Sequence, residues 1–169
     1  RFVSESDELN PDVFHSKHFG SASLEYAYSN YDNNAFPTLG FTFSAKTSWH
    51  LNLENTNQNF ASLVSHIGFT HKLIPSGKVV LLTLAKGEVI FNDNFEFYQG
   101  AFIGGNNGLR GFRNERFLGR HSFYHTSDVR WEVGSAKGFI PVKYGISGGY
   151  DYGRVWASNE NSNRWHNSY

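Results

Sequence analysis

Residues 41–53 read FTFSAKTSWHLNL, and apolar and polar side chains alternate along this stretch. One parity carries Phe, Phe, Ala, Thr, Trp, Leu and Leu, while the other carries Thr, Ser, Lys, Ser, His and Asn. Successive side chains of a β-strand point to opposite faces, so the stretch predicts a long strand with one apolar and one polar face. A helix would bring the lysine and the histidine onto the same side as the aromatic residues.

The same alternation recurs along the chain and predicts about six strands, with no segment that indicates a helix. These predicted strands cover residues 20–29, 38–54, 61–73, 78–91, 121–135 and 141–156. If neighbouring strands run antiparallel, one end of the sheet carries the connections 30–40, 74–77 and 136–141. The other end carries 54–59, the long segment 92–120 and the polar tail after Ala157. Short turns at one end and longer polar loops at the other are typical of outer-membrane barrels.

Charge on one face and aromatic residues on the other favour a membrane barrel over a soluble β-fold. The polar parity carries Glu25, Lys46, His50, Lys72, Lys86, Glu88, Asp128, Arg130, Glu132, Lys143 and Asp151. A dry core could not hold so many charges without a large desolvation cost, whereas a water-filled lumen can. The apolar parity carries Trp49, Trp131, Tyr144, Tyr150 and Tyr152, as expected of an interfacial aromatic girdle.

We therefore predict an all-β fold, an antiparallel transmembrane β-barrel segment. Membrane barrels have about eight strands or more, so residues 1–169 are expected to be part of a single, larger outer-membrane barrel domain. The alternative from the pattern alone is a soluble β-barrel that carries a ligand.

Composition argues against several classes of function. The 169 residues contain 15 basic and 15 acidic side chains, and this balance gives no electrostatic reason to expect nucleic acid. Without cysteine there is no disulfide and no thiolate zinc site. His121 and His125 would lie about 13 Å apart on one strand face, too far to share a metal. No nucleophile motif is present, so we expect no enzyme activity, no metal and no cofactor.

The most distinctive segment is GGNNGLRGF, residues 104–112. It lacks the Lys-Ser/Thr ending of a phosphate-binding loop. Asp128 and Asp151 lie on the next two predicted strands and share the inward parity. Two carboxylates facing one lumen repel each other unless a cation lies between them. The guanidinium of Arg110 could bond both if the segment 92–120 folds back into the barrel.

These residues resemble motifs of the BamA/TamA superfamily of outer-membrane assembly and translocation proteins, also called bacterial surface antigens. Gly104 and Gly105, followed by Leu109-Arg110-Gly111-Phe112, resemble its infolded loop motif. Asp128-Val129-Arg130 resembles its acidic-apolar-Arg strand segment, with Asp where the family usually has Glu. The run from Asp151 through Gly153 to Trp156 resembles its Asp-x-Gly-x-Val-Trp segment. The resemblance is strong over residues 102–156 and weaker upstream.

The resemblance implies a sixteen-stranded barrel in which the loop joins the eleventh and twelfth strands, so that the six predicted strands are the eighth to the thirteenth. It implies that Arg110 enters the lumen and pairs with Asp128 and Asp151. Gly111 would permit a tight backbone and Phe112 would pack inside. These residues would be structural parts of the barrel and not catalysts.

The implied function is insertion, assembly or translocation of proteins at the outer membrane of a Gram-negative bacterium. The implied partners are the lipid bilayer, client outer-membrane proteins, and periplasmic or lipoprotein accessory subunits. In such barrels a weak seam between the first and last strands can template a client strand by β-augmentation. A passive outer-membrane barrel that anchors or serves a fused or bound partner domain is the alternative within the membrane class.

Overall fold

The computed structural model describes residues 17–92, 95–157 and 164–169, and in these parts the protein is all-β. The strands are β1 (Phe19–Tyr31), β2 (Gly40–Asn52), β3 (Phe60–Lys72), β4 (Val79–Ile90), β5 (Ala101–Ile103), β6 (Phe117–Gly119), β7 (His121–Ala136), β8 (Val142–Trp156) and β9 (His166–Ser168). Two single 3-10 turns, Thr56–Gln58 and Phe97–Gln99, lie in the loops. Among the described residues, no helix is long and apolar enough to cross a bilayer.

The main sheet is antiparallel and has the order β1-β2-β3-β4-β7-β8-β9, while β5 and β6 form a separate hairpin. The predicted all-β antiparallel fold is confirmed. The six predicted strands correspond to β1 to β4, β7 and β8, and each observed end lies within two residues of the expected one. Between β7 and β8 the register shifts at Glu132/Gly134, which sequence alternation did not indicate.

Three short strands were not predicted. The hairpin β5-β6 lies inside the segment 92–120, which the sequence presents as one long loop, and β9 lies in the polar tail. Each of these strands has three residues. Alternation needs at least four or so residues to be recognised, so their pairing depends on the strands beside them and not on their own pattern.

The outward face of the main sheet is apolar and exposed. Leu24 keeps 68% of its surface accessible, Trp49 48% and Ile146 62%, although folding normally buries such side chains. Other exposed members are Tyr26, Leu51, Ile67, Phe69, Val129, Trp131 and Tyr144. Contiguous exposed apolar surface of this extent marks contact with a membrane or another protein.

The inward face is covered in part by residues 95–120, which we call the infolded segment. Ile103 and Leu109 of this segment are completely buried. A small cluster of Phe60, Ile90 and Ala101 closes the base of the segment against the ends of β3 and β4. The described protein therefore buries its core on the polar side of the sheet, beneath a folded loop, and leaves the apolar side open.

The turn 32–39 at the opposite end is also ordered by specific contacts. Asp32 accepts hydrogen bonds from the Thr38 hydroxyl and from the Thr38 and Leu39 amides, the last two at 2.8 and 3.0 Å. The Thr38 hydroxyl and the two amides hold the pKa of the Asp32 carboxyl well below its usual range. Arg130 Nη2 donates to the Pro37 carbonyl at 2.5 Å, which ties this turn to β7.

Candidate functional site

The centre of the candidate site is the side chain of Arg110, which extends from the infolded segment to two neighbouring strands. Its Nη1 lies 2.7 Å from Asp128 Oδ1 on β7. Its Nη2 lies 2.5 Å from Asp151 Oδ1 on β8, and its Nε donates to Asp151 Oδ2 at 2.8 Å. The structure thus brings together Asp128 and Asp151, which sequence parity assigned to one lumen, and Arg110, the cation expected between them, and Arg110 makes a two-pronged contact to Asp151.

The two carboxylates have different surroundings. The side chain of Asp151 is 0% exposed, that of Asp128 is 32% exposed, and that of Arg110 is 53% exposed. Asp151 also accepts the backbone amide of Arg110 at 3.1 Å and the Ser168 hydroxyl at 3.2 Å. Asp151 is therefore the buried anchor of the site, and Asp128 is a lateral contact reachable by water.

The charge state of Arg110 follows from these contacts. The hydrogen bonds to Asp151, and then the one to Asp128, raise the pKa of the guanidinium above its already high value. Arg110 therefore stays protonated at every physiological pH, and the ion pairs do not depend on its titration.

Local backbone structure explains why Arg110 points at the strands. Gly104, Gly105 and Gly108 have φ values of 136°, 48° and 96°, in the left-handed region that favours glycine. At Gly108 the backbone lies against the ring of Tyr124, so no other side chain fits there. Leu109, completely buried next to Arg110, fixes the segment against the sheet.

The remaining loop-motif residues support this arrangement. A Cβ added to Gly111 would lie 2.9 Å from the Cβ of Ser168, so Gly111 permits close approach of the segment to β9. The ring of Phe112 contacts Phe117 edge-on at 5.2 Å and His166 at 6.0 Å. Phe112 thus packs against the hairpin and β9 on the inward side.

The strand-motif residues do not all join the cluster. Arg130 contacts the turn 32–39 at the other end of the sheet. Gly153 faces the infolded segment, where an added Cβ would lie 3.2 Å from Ile103 Cδ1. Trp156 lies on the outward parity, with the Arg154 guanidinium 4.9 Å from its ring centre. Of the strand-motif residues, Gly153 therefore contacts the infolded segment, Arg130 binds the turn 32–39, and Trp156 lies on the apolar face.

Two residues of the site were not predicted from the sequence. Ser168 hydrogen-bonds Asp151 from β9, and nothing in the polar tail indicated this. Gly149 pairs with Asp128 across β7 and β8, and its bare backbone leaves room for the Arg110 guanidinium. The adjacent glycines Gly148 and Gly149 inside a strand were an available signal, because a glycine there often marks a close approach.

Gly149→Ala is expected to weaken docking of the infolded segment. The added Cβ would overlap the Asp128 carboxylate and lie 2.7 Å from Arg110 Nη2, so the ion pair must move apart. We expect a loss of about 1–3 kcal/mol in the free energy of unfolding, measured by urea titration of the full-length protein in detergent. Gly148→Ala is the matched control, since an added Cβ there meets nothing within 4 Å. Equal stability of the two variants would contradict the packing argument.

The ion pairs of Arg110 connect a loop to two strands. Arg110 lies between the two carboxylates and offsets their mutual repulsion. Within the described ranges, no group of three His, Cys, Asp or Glu side chains is arranged to hold a metal ion. The arrangement fastens a loop to the inner wall formed by β7 and β8.

Comparison with known proteins finds a matching family. A family model described as the Omp85 superfamily domain matches residues 14–168. The match spans the whole main sheet, the infolded segment and both carboxylate-bearing strands. No curated protein matches the chain.

Proposed function

The chain belongs to the Omp85 superfamily, and on that premise we propose that it forms part of an outer-membrane barrel that inserts, assembles or translocates other proteins. The observation that carries the proposal is the family match over residues 14–168. The ion pairs of Arg110 with Asp128 and Asp151 on the inward face of the sheet support it. In this proposal the cluster is structural and performs no reaction.

The exposed outward face supports a location in the lipid bilayer of a bacterial outer membrane. The long strands of the sheet have 12 to 16 residues, and a tilted strand needs about 9–11 to cross the hydrocarbon layer. Trp49 near one end of β2 and Trp131 towards the opposite end of the sheet suit the two interfacial zones. Acyl chains would then cover the leucines and isoleucines that the described protein leaves exposed.

The proposed mechanism assigns a supporting role to the infolded segment. Arg110 holds this segment across β7 and β8, so that part of the barrel wall behaves as one rigid unit. A client strand would be templated elsewhere, at a seam whose strand edges can accept it by β-augmentation. Client outer-membrane proteins and periplasmic or lipoprotein accessory subunits are the proposed partners.

Insertion of a client tests the proposal directly. Full-length protein is reconstituted into liposomes, and a small denatured outer-membrane barrel is added with its chaperone. We expect the client to become protease-resistant at least several-fold faster than in empty liposomes. The matched control is the same protein carrying Arg110→Glu, which should lose most of the acceleration. If wild-type protein accelerates neither insertion nor secretion of a client, the passive anchoring barrel is the better description.

A further inference from the structure

A second group of arginines surrounds a cavity that the Arg110 cluster does not use. The cavity has a volume of about 870 Å³ and lies between the tip of the infolded segment and the ends of β8 and β9. Its lining includes Arg113, Arg116 and Arg164 together with the aromatic rings of Phe102 and Phe117. Among the described lining residues Glu115 is the one acidic side chain, so positive charge predominates in this part of the lining.

Arg113 and Arg116 present their charge to solvent. Both residues are exposed, and neither forms an ion pair with a described residue. The guanidinium of Arg116 lies 5.5 Å from the ring centre of Phe117, which gives it an aromatic support. Arg110, only three residues before Arg113, is by contrast committed to two carboxylates.

The backbone that carries these two arginines is held in place before any ligand arrives. A Cβ added to Gly104 would lie 2.5 Å from the Arg113 carbonyl oxygen and 2.8 Å from the Arg116 amide nitrogen, so the turn at 104–107 packs tightly against them. Asn114 Oδ1 accepts the Asn106 amide at 2.9 Å. Glu115 has a φ of 52°, which an ordinary residue adopts only when its surroundings impose it. Preorganised groups lose less entropy on binding.

The position of the cavity indicates the class of ligand. Val155 and His166 line it, and both share the inward parity of Asp151, Gly153 and Ser168. The cavity therefore opens on the side of the sheet opposite the exposed apolar face, away from the acyl chains. A polypeptide in the lumen can reach it, whereas a lipid headgroup in the surrounding bilayer cannot reach it through the wall.

We propose that this cavity binds an acidic polypeptide segment, with the guanidinium groups of Arg113 and Arg116 contacting its carboxylates and Phe117 contacting its apolar atoms. Guanidinium forks match carboxylates in geometry and charge. The choice of a polypeptide rests on the proposed function, since an assembly or translocation barrel encounters client segments. The site itself rests on the charge and shape of the cavity.

Peptide binding tests the proposal. The probe is a fluorescent eight-residue peptide of alternating Glu and Ser, titrated by anisotropy against the full-length protein in detergent micelles. Arg113→Gln/Arg116→Gln is expected to weaken binding about tenfold, and added salt should weaken wild-type binding. The matched control is Lys78→Gln/Lys143→Gln, which removes equal charge at the opposite end of the sheet and should change the affinity less than about twofold.

Several results would overturn the proposal. One is an absence of peptide binding to the wild type. The others are an unchanged affinity in Arg113→Gln/Arg116→Gln, or a loss of affinity in Lys78→Gln/Lys143→Gln as large as in the arginine variant. Glucosamine 1-phosphate competing better than an unlabelled Glu-Ser peptide would reassign the site to a phosphorylated headgroup. If the glutamine variant folds poorly, Arg113→Lys/Arg116→Lys replaces it in the same titration, because this variant keeps the positive charge but removes the guanidinium fork. Client insertion is scored separately, so failure of the site and failure of the proposed function are distinguishable.

Discussion

Arg110→Glu is expected to detach the infolded segment from the barrel wall and to lower the free energy of unfolding by about 3 kcal/mol. The substitution places a third carboxylate beside Asp128 and the completely buried Asp151. Breaking a buried pair usually costs about 3–5 kcal/mol, and the lower end applies because water reaches half of the Arg110 side chain. Urea unfolding of the full-length protein, followed by tryptophan fluorescence, measures the loss, and heat-modifiability on gels reports barrel integrity.

The control for this substitution is Arg113→Glu. It introduces the same charge change on the same segment, at an exposed side chain with no ion pair to a described residue. We expect Arg113→Glu to alter stability by less than about 0.5 kcal/mol. Unchanged heat-modifiability and unchanged unfolding in Arg110→Glu would rule out a stabilising role for the pairing with Asp128 and Asp151.

Asp151→Asn is expected to destabilise the protein far more than Asp128→Asn, although the two changes are chemically identical. Asp151 is fully buried and accepts the Arg110 guanidinium twice, the Arg110 amide and the Ser168 hydroxyl. Asp128 is one-third exposed and accepts Arg110 once. We expect losses of about 3 and about 1 kcal/mol, respectively, in the same urea titration.

Double-mutant cycles with Arg110→Gln separate these contributions. The coupling energy between Arg110 and Asp151 should exceed that between Arg110 and Asp128. The reason is that Asp151 accepts two hydrogen bonds from the guanidinium and its side chain is fully buried. Equal coupling energies, or a larger one for Asp128, would show that the buried contact is not the anchor. Gly148→Ala provides a neutral variant on the same strand.

Local alternation was sufficient to predict the long strands. In β2 the parity of Phe43 and Trp49 against Lys46 and His50 is visible without any knowledge of neighbouring strands, because a strand turns successive side chains to opposite faces. The observed pairing of β2 with β1 and β3 keeps these parities in register. The same parity puts Asp128 and Asp151 on one face of the sheet.

The relative importance of the site residues could not be predicted in the same way. Parity treats Asp128 and Asp151 alike, and it assigns Arg130 to the same inward face without indicating what Arg130 contacts. The structure shows that the Asp151 side chain is fully buried and that the Asp128 side chain is one-third exposed. It also shows that Arg130 donates a hydrogen bond to the Pro37 carbonyl. Burial and contacts between residues distant in sequence decide these differences, and neither has a local signature.

By itself, the sequence determined the all-β fold, the ends of the long strands to within two residues, and the three charged residues at the centre of the site. The tertiary structure decided the short strands β5, β6 and β9, the close approach at Gly149, and the contribution of Ser168. The physical reason is that alternation records which face a side chain occupies, whereas a three-residue strand or a buried hydrogen bond exists only once distant segments have packed together.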